Sequence, residues 1–146
     1  MLSNKVAVLG PTYSGKTSLI RRLCNLPPII KYEPTLIEDI TRLYIKVNDK
    51  NLTIDFYEIP DLIVDNLNHM LGSDIFLVVI NKCNPEPIDR YIHYISRITY
   101  NAHVVVCGNK RDLSPQPDFN HYTIETSTIT GYGCKELMRY IIEHIL

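Results

Sequence analysis

Along the chain, short apolar runs alternate with amphipathic stripes. Val6-Ala7-Val8-Leu9 is an apolar run closed by Gly10, and Lys16 to Asn25 then places Leu19, Ile20 and Leu23 on one helical face. This predicts strand, loop and helix. From Ile40 to Val47 the period changes to two, with Leu43, Ile45 and Val47 opposite Arg42, Tyr44 and Lys46. Asn48 to Asn51 supply turn residues and Leu52, Ile54 and Phe56 resume the alternation, which predicts a hairpin. Ile75 to Ile80 and His103 to Cys107 are continuous β-rich runs, as in strands covered on both faces. Ile88, Ile92, Ile95 and Ile98 form a helical stripe between them; Tyr122 to Ile124 predicts a last short strand, and Leu137, Tyr140, Ile141 and Ile145 a closing helix. The order of elements predicts an α/β domain with a mainly parallel six-stranded sheet and one antiparallel edge strand.

Composition narrows the class. With 146 residues, the chain is expected to form a single domain spanning 1–146. Its 15 basic and 16 acidic side chains leave a net charge of -1, which argues against a broad nucleic-acid surface. Cys24, Cys83, Cys107 and Cys134 show no metal-ligand spacing, which predicts reduced thiols and an intracellular protein. The longest apolar run, Ile75 to Ile80, is far short of the ~18 residues of a spanning helix. No signal peptide or lipidation motif is evident, so a cytoplasmic location without a direct membrane anchor is expected.

The candidate chemistry begins at Gly10-Pro11-Thr12-Tyr13-Ser14-Gly15-Lys16-Thr17, which fits G-x-x-x-x-G-K-[ST] between a predicted strand and a predicted helix. Glycines at the two ends allow turns that aim backbone N–H groups at phosphate oxygens, and the helix N-terminus adds donors and a positive dipole end. Tyr13, Ser14, Gly15, Lys16, Thr17 and Ser18 are therefore nucleotide-binding candidates, with Lys16 reaching the β- and γ-phosphates and the Thr17 hydroxyl a ligand of Mg²⁺. Two N-K-x-x tetrapeptides follow apolar strands. Guanine presents two adjacent N–H donors, and a carboxylate accepts both in parallel. Asp112 of Asn109-Lys110-Arg111-Asp112 supplies one, whereas Asn81-Lys82-Cys83-Asn84 ends in an amide and reads as a polar strand terminus. Asn109 would tie the loop together and Lys110 would lay its stem along the base.

With these motifs in place, the chain resembles a divergent and shortened small GTPase of the Ras superfamily, Ras/Rab-like, from Val6 to Leu146. The resemblance implies a P-loop NTPase G domain, with helices on both sheet faces, GTP or GDP and Mg²⁺ as cofactors, and a molecular switch in signalling or vesicle trafficking. Lys31-Tyr32-Glu33-Pro34-Thr35 resembles the first switch, which makes Tyr32 and Thr35 nucleotide contacts and Thr35 a metal ligand. Glu125-Thr126-Ser127 resembles the start of the last base-contacting loop, which brings Ser127 and Thr128 to the guanine. Effectors or regulators would dock on Lys31 to Thr41 and on Glu58 to Leu62.

Departures from the family pattern are equally specific. Where relatives carry D-x-x-G-Q, this chain has Glu58-Ile59-Pro60-Asp61-Leu62. Glu58 retains a carboxylate for Mg²⁺, and Asp55 is the weaker alternative. Asp61 puts negative charge where the γ-phosphate is expected, and Leu62 has no donor or acceptor to orient water. The resemblance thus implies an impaired GTP hydrolase with no assigned catalytic side chain. Two alternatives stand beside the switch: a non-switching pseudo-GTPase interaction module and a P-loop small-molecule kinase. Pro115 and Pro117, in the short segment between Asp112 and Tyr122, argue against the helix that relatives carry there. The sheet face beside the last two strands is then expected to be thinly covered and open to a partner or a second copy.

Overall fold

A computed structural model of the chain describes residues 3–12, 14–27, 39–61, 64, 67–81, 88–99, 103–109 and 123–146. The strands are β1 (Asn4–Leu9), β2 (Asp39–Val47), β3 (Lys50–Glu58), β4 (Ile75–Asn81), β5 (His103–Asn109) and β6 (Thr123–Glu125). The helices are α1 (Lys16–Leu23), α2 (Ile88–Ser96) and α3 (Cys134–Ile145), and a 3₁₀ turn covers Leu67–Met70. One six-stranded sheet runs β2-β3-β1-β4-β5-β6. Every pair is parallel except β2 with β3, the hairpin that the alternating segment predicts.

The period of two in the strands divides the core. Val6 and Val8 of β1, Leu77 and Val79 of β4, Val105 and Cys107 of β5 and Ile124 of β6 pack with Leu19, Leu23, Leu137 and Ile141, under α1 and α3. Ala7, Leu9, Phe76, Val78, Ile80 and Val106 face the other way, onto Ile88, Tyr91 and Ile95 of α2. Central strands are uninterrupted apolar runs because each face has its own helical cover. The chain thus folds as an α/β domain with a mainly parallel six-stranded sheet and helices on both faces.

The edge strand differs from its neighbour. In β2 alternate residues stay exposed, whereas β3 buries Thr53 and Asp55 as well as Ile54 and Phe56. The alternation in β3 predicts one wet face, but pairing with both β2 and β1 encloses it. Arg42 sits directly opposite Asp55 in the hairpin register, and its Nε and Nη2 meet the two carboxylate oxygens at 2.6 and 2.9 Å. Ser3 also donates to that carboxylate. Arg42 holds the Asp55 carboxyl below its ordinary range.

At the β6 edge Val106 is wholly buried and Ile124 is 2% exposed, while His103 is exposed and Val104, Thr123 and Glu125 are half-exposed. The segment expected to lack a helix, residues 110–122, lies outside the described residues. Cys24, Cys107 and Cys134 are free thiols, and burial pushes Cys107 up to about 12. Among the described residues no helix is long and apolar enough to cross a membrane.

Candidate nucleotide site

The order β3-β1-β4 places β1 between two parallel neighbours whose connections run to opposite sides of it. In open parallel sheets the crevice for ligands forms at the carboxyl ends of the strands where the order reverses. Gly10 to Gly15 leave β1 at that point.

Gly10 has φ 151, and a Cβ built on it would stand 2.0 Å from the carbonyl oxygen of Val79. The loop therefore leaves the sheet so close to β4 that only glycine fits. Ser14 N–H donates to Pro11 O at 3.2 Å, and Gly15, at φ 92, opens α1. A helix N-terminus starting on the sheet's carboxyl edge directs unused amide donors and a positive dipole end into the loop.

Lys16 is only 6% exposed and folds its Nζ back over the loop, donating to Gly10 O at 2.7 Å and Pro11 O at 2.9 Å. Burial lowers its pKa, while the nearby carboxylates of Glu58 and Asp61 act in the opposite direction. An ammonium held by two neutral carbonyls in a desolvated loop lacks a full counter-charge at its site, which suits it to an anion.

β1 and β3 run side by side, with Val8 opposite Glu58, so the end of β3 faces the start of α1. The Thr17 hydroxyl donates to the Glu58 carboxylate, with Oε1 and Oε2 both at 2.7 Å. Glu58 is 3% exposed. Asp55, the weaker alternative, is instead committed to Arg42 and Ser3. Glu58 and Asp55 differ by an odd number of strand positions, so they leave β3 on opposite faces, and only Glu58 faces Thr17.

On the other side of the crevice the ends of β4 and β5 are level, with Asn81 opposite Asn109. Thr126 N–H donates to Gly108 O at 3.0 Å, which carries the β6 end alongside β5. The loop that follows is closed by Ser127 N–H to Tyr132 O at 2.9 Å and Gly131 N–H to Ser127 O at 2.8 Å. Ser127 Oγ accepts from Thr130 N–H at 3.2 Å, and Ser127 itself is 1% exposed. Its hydroxyl therefore braces the loop, with Thr128 half-exposed beside it.

The structure thus brings Ser14, Gly15, Lys16, Thr17, Ser18 and Glu58 into one group and places Ser127 and Thr128 on the loop after β6. Tyr13, Tyr32, Thr35, Lys110, Asp112 and the side chain of Asn109 lie outside the described residues, as does Leu62. The residues present fit a nucleotide phosphate chain with Mg²⁺: a glycine cradle, a buried ammonium, a helix start, and a hydroxyl paired with a carboxylate. Among the described residues no cluster of three or more His, Cys, Asp or Glu side chains forms a metal site by itself.

Sequence reasoning missed Arg90 and Tyr91. Tyr91 Oη donates to Asp61 Oδ1 at 2.8 Å, and Arg90 Nη2 lies 3.0 Å from the same oxygen. The signal was present: Tyr91 follows Ile88 by one helical turn, on the buried face, and a buried phenol requires a hydrogen-bond partner.

Fold, phosphate loop and paired Thr17 and Glu58 define a P-loop GTPase domain. A family model described as 50S ribosome-binding GTPase matches residues 5–110, and the chain belongs to that family of GTP-binding proteins. This sets aside the small-molecule kinase. Among solved structures, Methanosarcina barkeri Roco2 RocCORdC bound to GDP is similar, with a TM-score of 0.85 and 19% identity, over 100% of this chain and 50% of that one. The chain spans about half of that Roco2 chain, and the likeness shows the fold. No curated protein sequence matches the chain.

Proposed function

We propose that residues 1–146 form a single Ras/Rab-like guanine-nucleotide switch domain that acts in the cytoplasm, in signalling or vesicle trafficking, with very slow intrinsic hydrolysis. The observation that carries this reading is the contact of Thr17 with Glu58 beside the buried Lys16. Lys16 neutralises the phosphate chain, while the opening of α1 donates N–H groups to it. Thr17 and Glu58 would hold Mg²⁺, with Thr35 as a third ligand, and the ion would supply charge neutralisation to the phosphate chain. Tyr13, Ser14, Gly15, Ser18 and Tyr32 complete the nucleotide contacts, and Asn109, Lys110, Asp112, Ser127 and Thr128 recognise guanine. An effector or regulator reads Lys31 to Thr41 and the Glu58 to Leu62 segment.

Slow hydrolysis follows from Leu62, which cannot orient water. Single-turnover cleavage of GTP by the purified chain tests it; a rate equal to that of ordinary Ras relatives refutes it. Identification of guanine nucleotide copurifying with the protein tests the site itself.

The tie between Asp61 and α2 favours a second reading, in which the domain binds nucleotide without switching. Limited proteolysis across Tyr32 to Leu62 separates the two. Identical patterns with GDP and GTP support the non-switching module, and different patterns support the switch.

A further inference from the structure

Parallel pairing of β1 with β3 brings Glu58 and, three residues on, Asp61 out beside the loop whose Gly10 and Pro11 carbonyls hold the Lys16 ammonium. Glu58 is accounted for by Thr17. Asp61 is assigned to neither Mg²⁺ nor phosphate in the guanine-nucleotide reading, and it is fixed in place from both of its sides. On the chain side, Ile59 and Pro60 are buried, and Ile59 N–H donates to Val8 O at 3.0 Å, which prolongs the β1–β3 pairing almost to Asp61. On the helix side, Tyr91 Oη and Arg90 Nη2 grip Oδ1 at 2.8 and 3.0 Å. Tyr91 is 0% exposed and packs among Leu9, Phe76 and Ile80, so it cannot follow a moving loop. Arg90 compensates the carboxylate only in part, because its side chain is 42% exposed and screened by water.

In a phosphate loop of this kind the lysine reaches the β- and γ-phosphates. A carboxylate fixed beside the loop that holds this ammonium also acts on the phosphate the ammonium would hold. A triphosphate brings further negative charge to this end of the site, and a diphosphate does not. We infer that Asp61 is a specificity-determining residue that makes the site favour guanosine diphosphate over guanosine triphosphate, with Tyr91 as the positioning residue that keeps the carboxylate in place. This rests on the guanine-nucleotide reading of the same site and adds to it which nucleotide the resting protein holds.

The test is fluorescence titration of the full chain, in Mg²⁺, with labelled GDP and a labelled non-hydrolysable GTP analogue. The wild-type protein is expected to bind the diphosphate about tenfold more tightly, the scale of one partly screened like-charge contact. Asp61→Asn is expected to bring the ratio to about one by tightening the triphosphate alone. Tyr91→Phe keeps the charge but frees it, and is expected to narrow the ratio with diphosphate affinity unchanged. Equal tight binding of both nucleotides by the wild type, or a ratio that Asp61→Asn leaves intact, would overturn the inference alone. Binding of neither nucleotide would overturn the guanine reading and this inference with it. A ratio abolished by Asp61→Asn but untouched by Tyr91→Phe would remove the role of Tyr91.

Discussion

The loop after β1 and the segment after β3 leave the sheet side by side, yet they are built from opposite materials. The first consists of glycines, a buried lysine and a helix start, all of which favour negative charge. The second runs from Glu58 through a buried proline to Asp61 and adds negative charge. One site can hold both because the carboxylates are partnered: Glu58 by Thr17, and Asp61 by Tyr91 and Arg90. The difference teaches that binding a phosphate chain and responding to its last phosphate are separable properties. The first needs only a cradle. The second needs a neighbouring segment that can approach the terminal phosphate, and here a fixed carboxylate stands in that segment.

Several substitutions would break or sharpen this contrast. The largest effect is expected at Gly10, because a Cβ there meets the Val79 carbonyl at 2.0 Å. Gly10→Ala should cost about 3 kcal/mol or more in folding free energy, read from the denaturant midpoint. An unchanged midpoint would show that the loop is less tightly apposed to β4 than described.

Next in size is Lys16→Met, which removes the counter-charge to the phosphates and should weaken nucleotide binding about a hundredfold. Stability should hardly fall, because the ammonium is buried and its pKa is lowered by that burial. Calorimetry of binding alongside a thermal melt separates the two quantities; a large drop in melting temperature would mean that Lys16 serves the fold more than the ligand.

Glu58→Ala should be milder, removing about tenfold of the affinity, and only the part that depends on Mg²⁺. Titration with and without a chelator checks this. A loss that persists in chelator would make Glu58 a structural partner of Thr17 alone.

The smallest effect lies away from the site, at the hairpin. Asp55 has its folded pKa depressed by the Arg42 guanidinium, so its contribution to stability is fully present above the unfolded carboxyl value of about 3.9 and is lost as pH falls through the folded value. Arg42→Gln should flatten this acid limb while leaving nucleotide affinity unchanged. Denaturation midpoints between about pH 2 and 6 give the comparison, and an unaltered acid limb would count against the pair.

Much of this architecture is legible in the sequence. Strands β1, β4 and β5 are runs of branched apolar residues because both faces are covered, and that pattern is local in the sequence. The hairpin was legible from its alternation and turn residues, and the phosphate loop from two glycines, a lysine and a threonine between strand and helix. The buried status of Thr53 and Asp55 was not, since it depends on which strands flank β3.

The class of the protein is written in the sequence: which segments are strands and where the phosphate loop lies. Such features depend on residue type and short-range spacing. Only the tertiary structure decided the partnerships: Glu58 rather than Asp55 facing Thr17, and Asp61 held by α2. Those follow from the parallel register of β1 with β3 and from the packing of a helix across the opposite sheet face. The physical reason is that a charge acts through space, and its neighbours in space are set by the sheet order, not by the order of the chain.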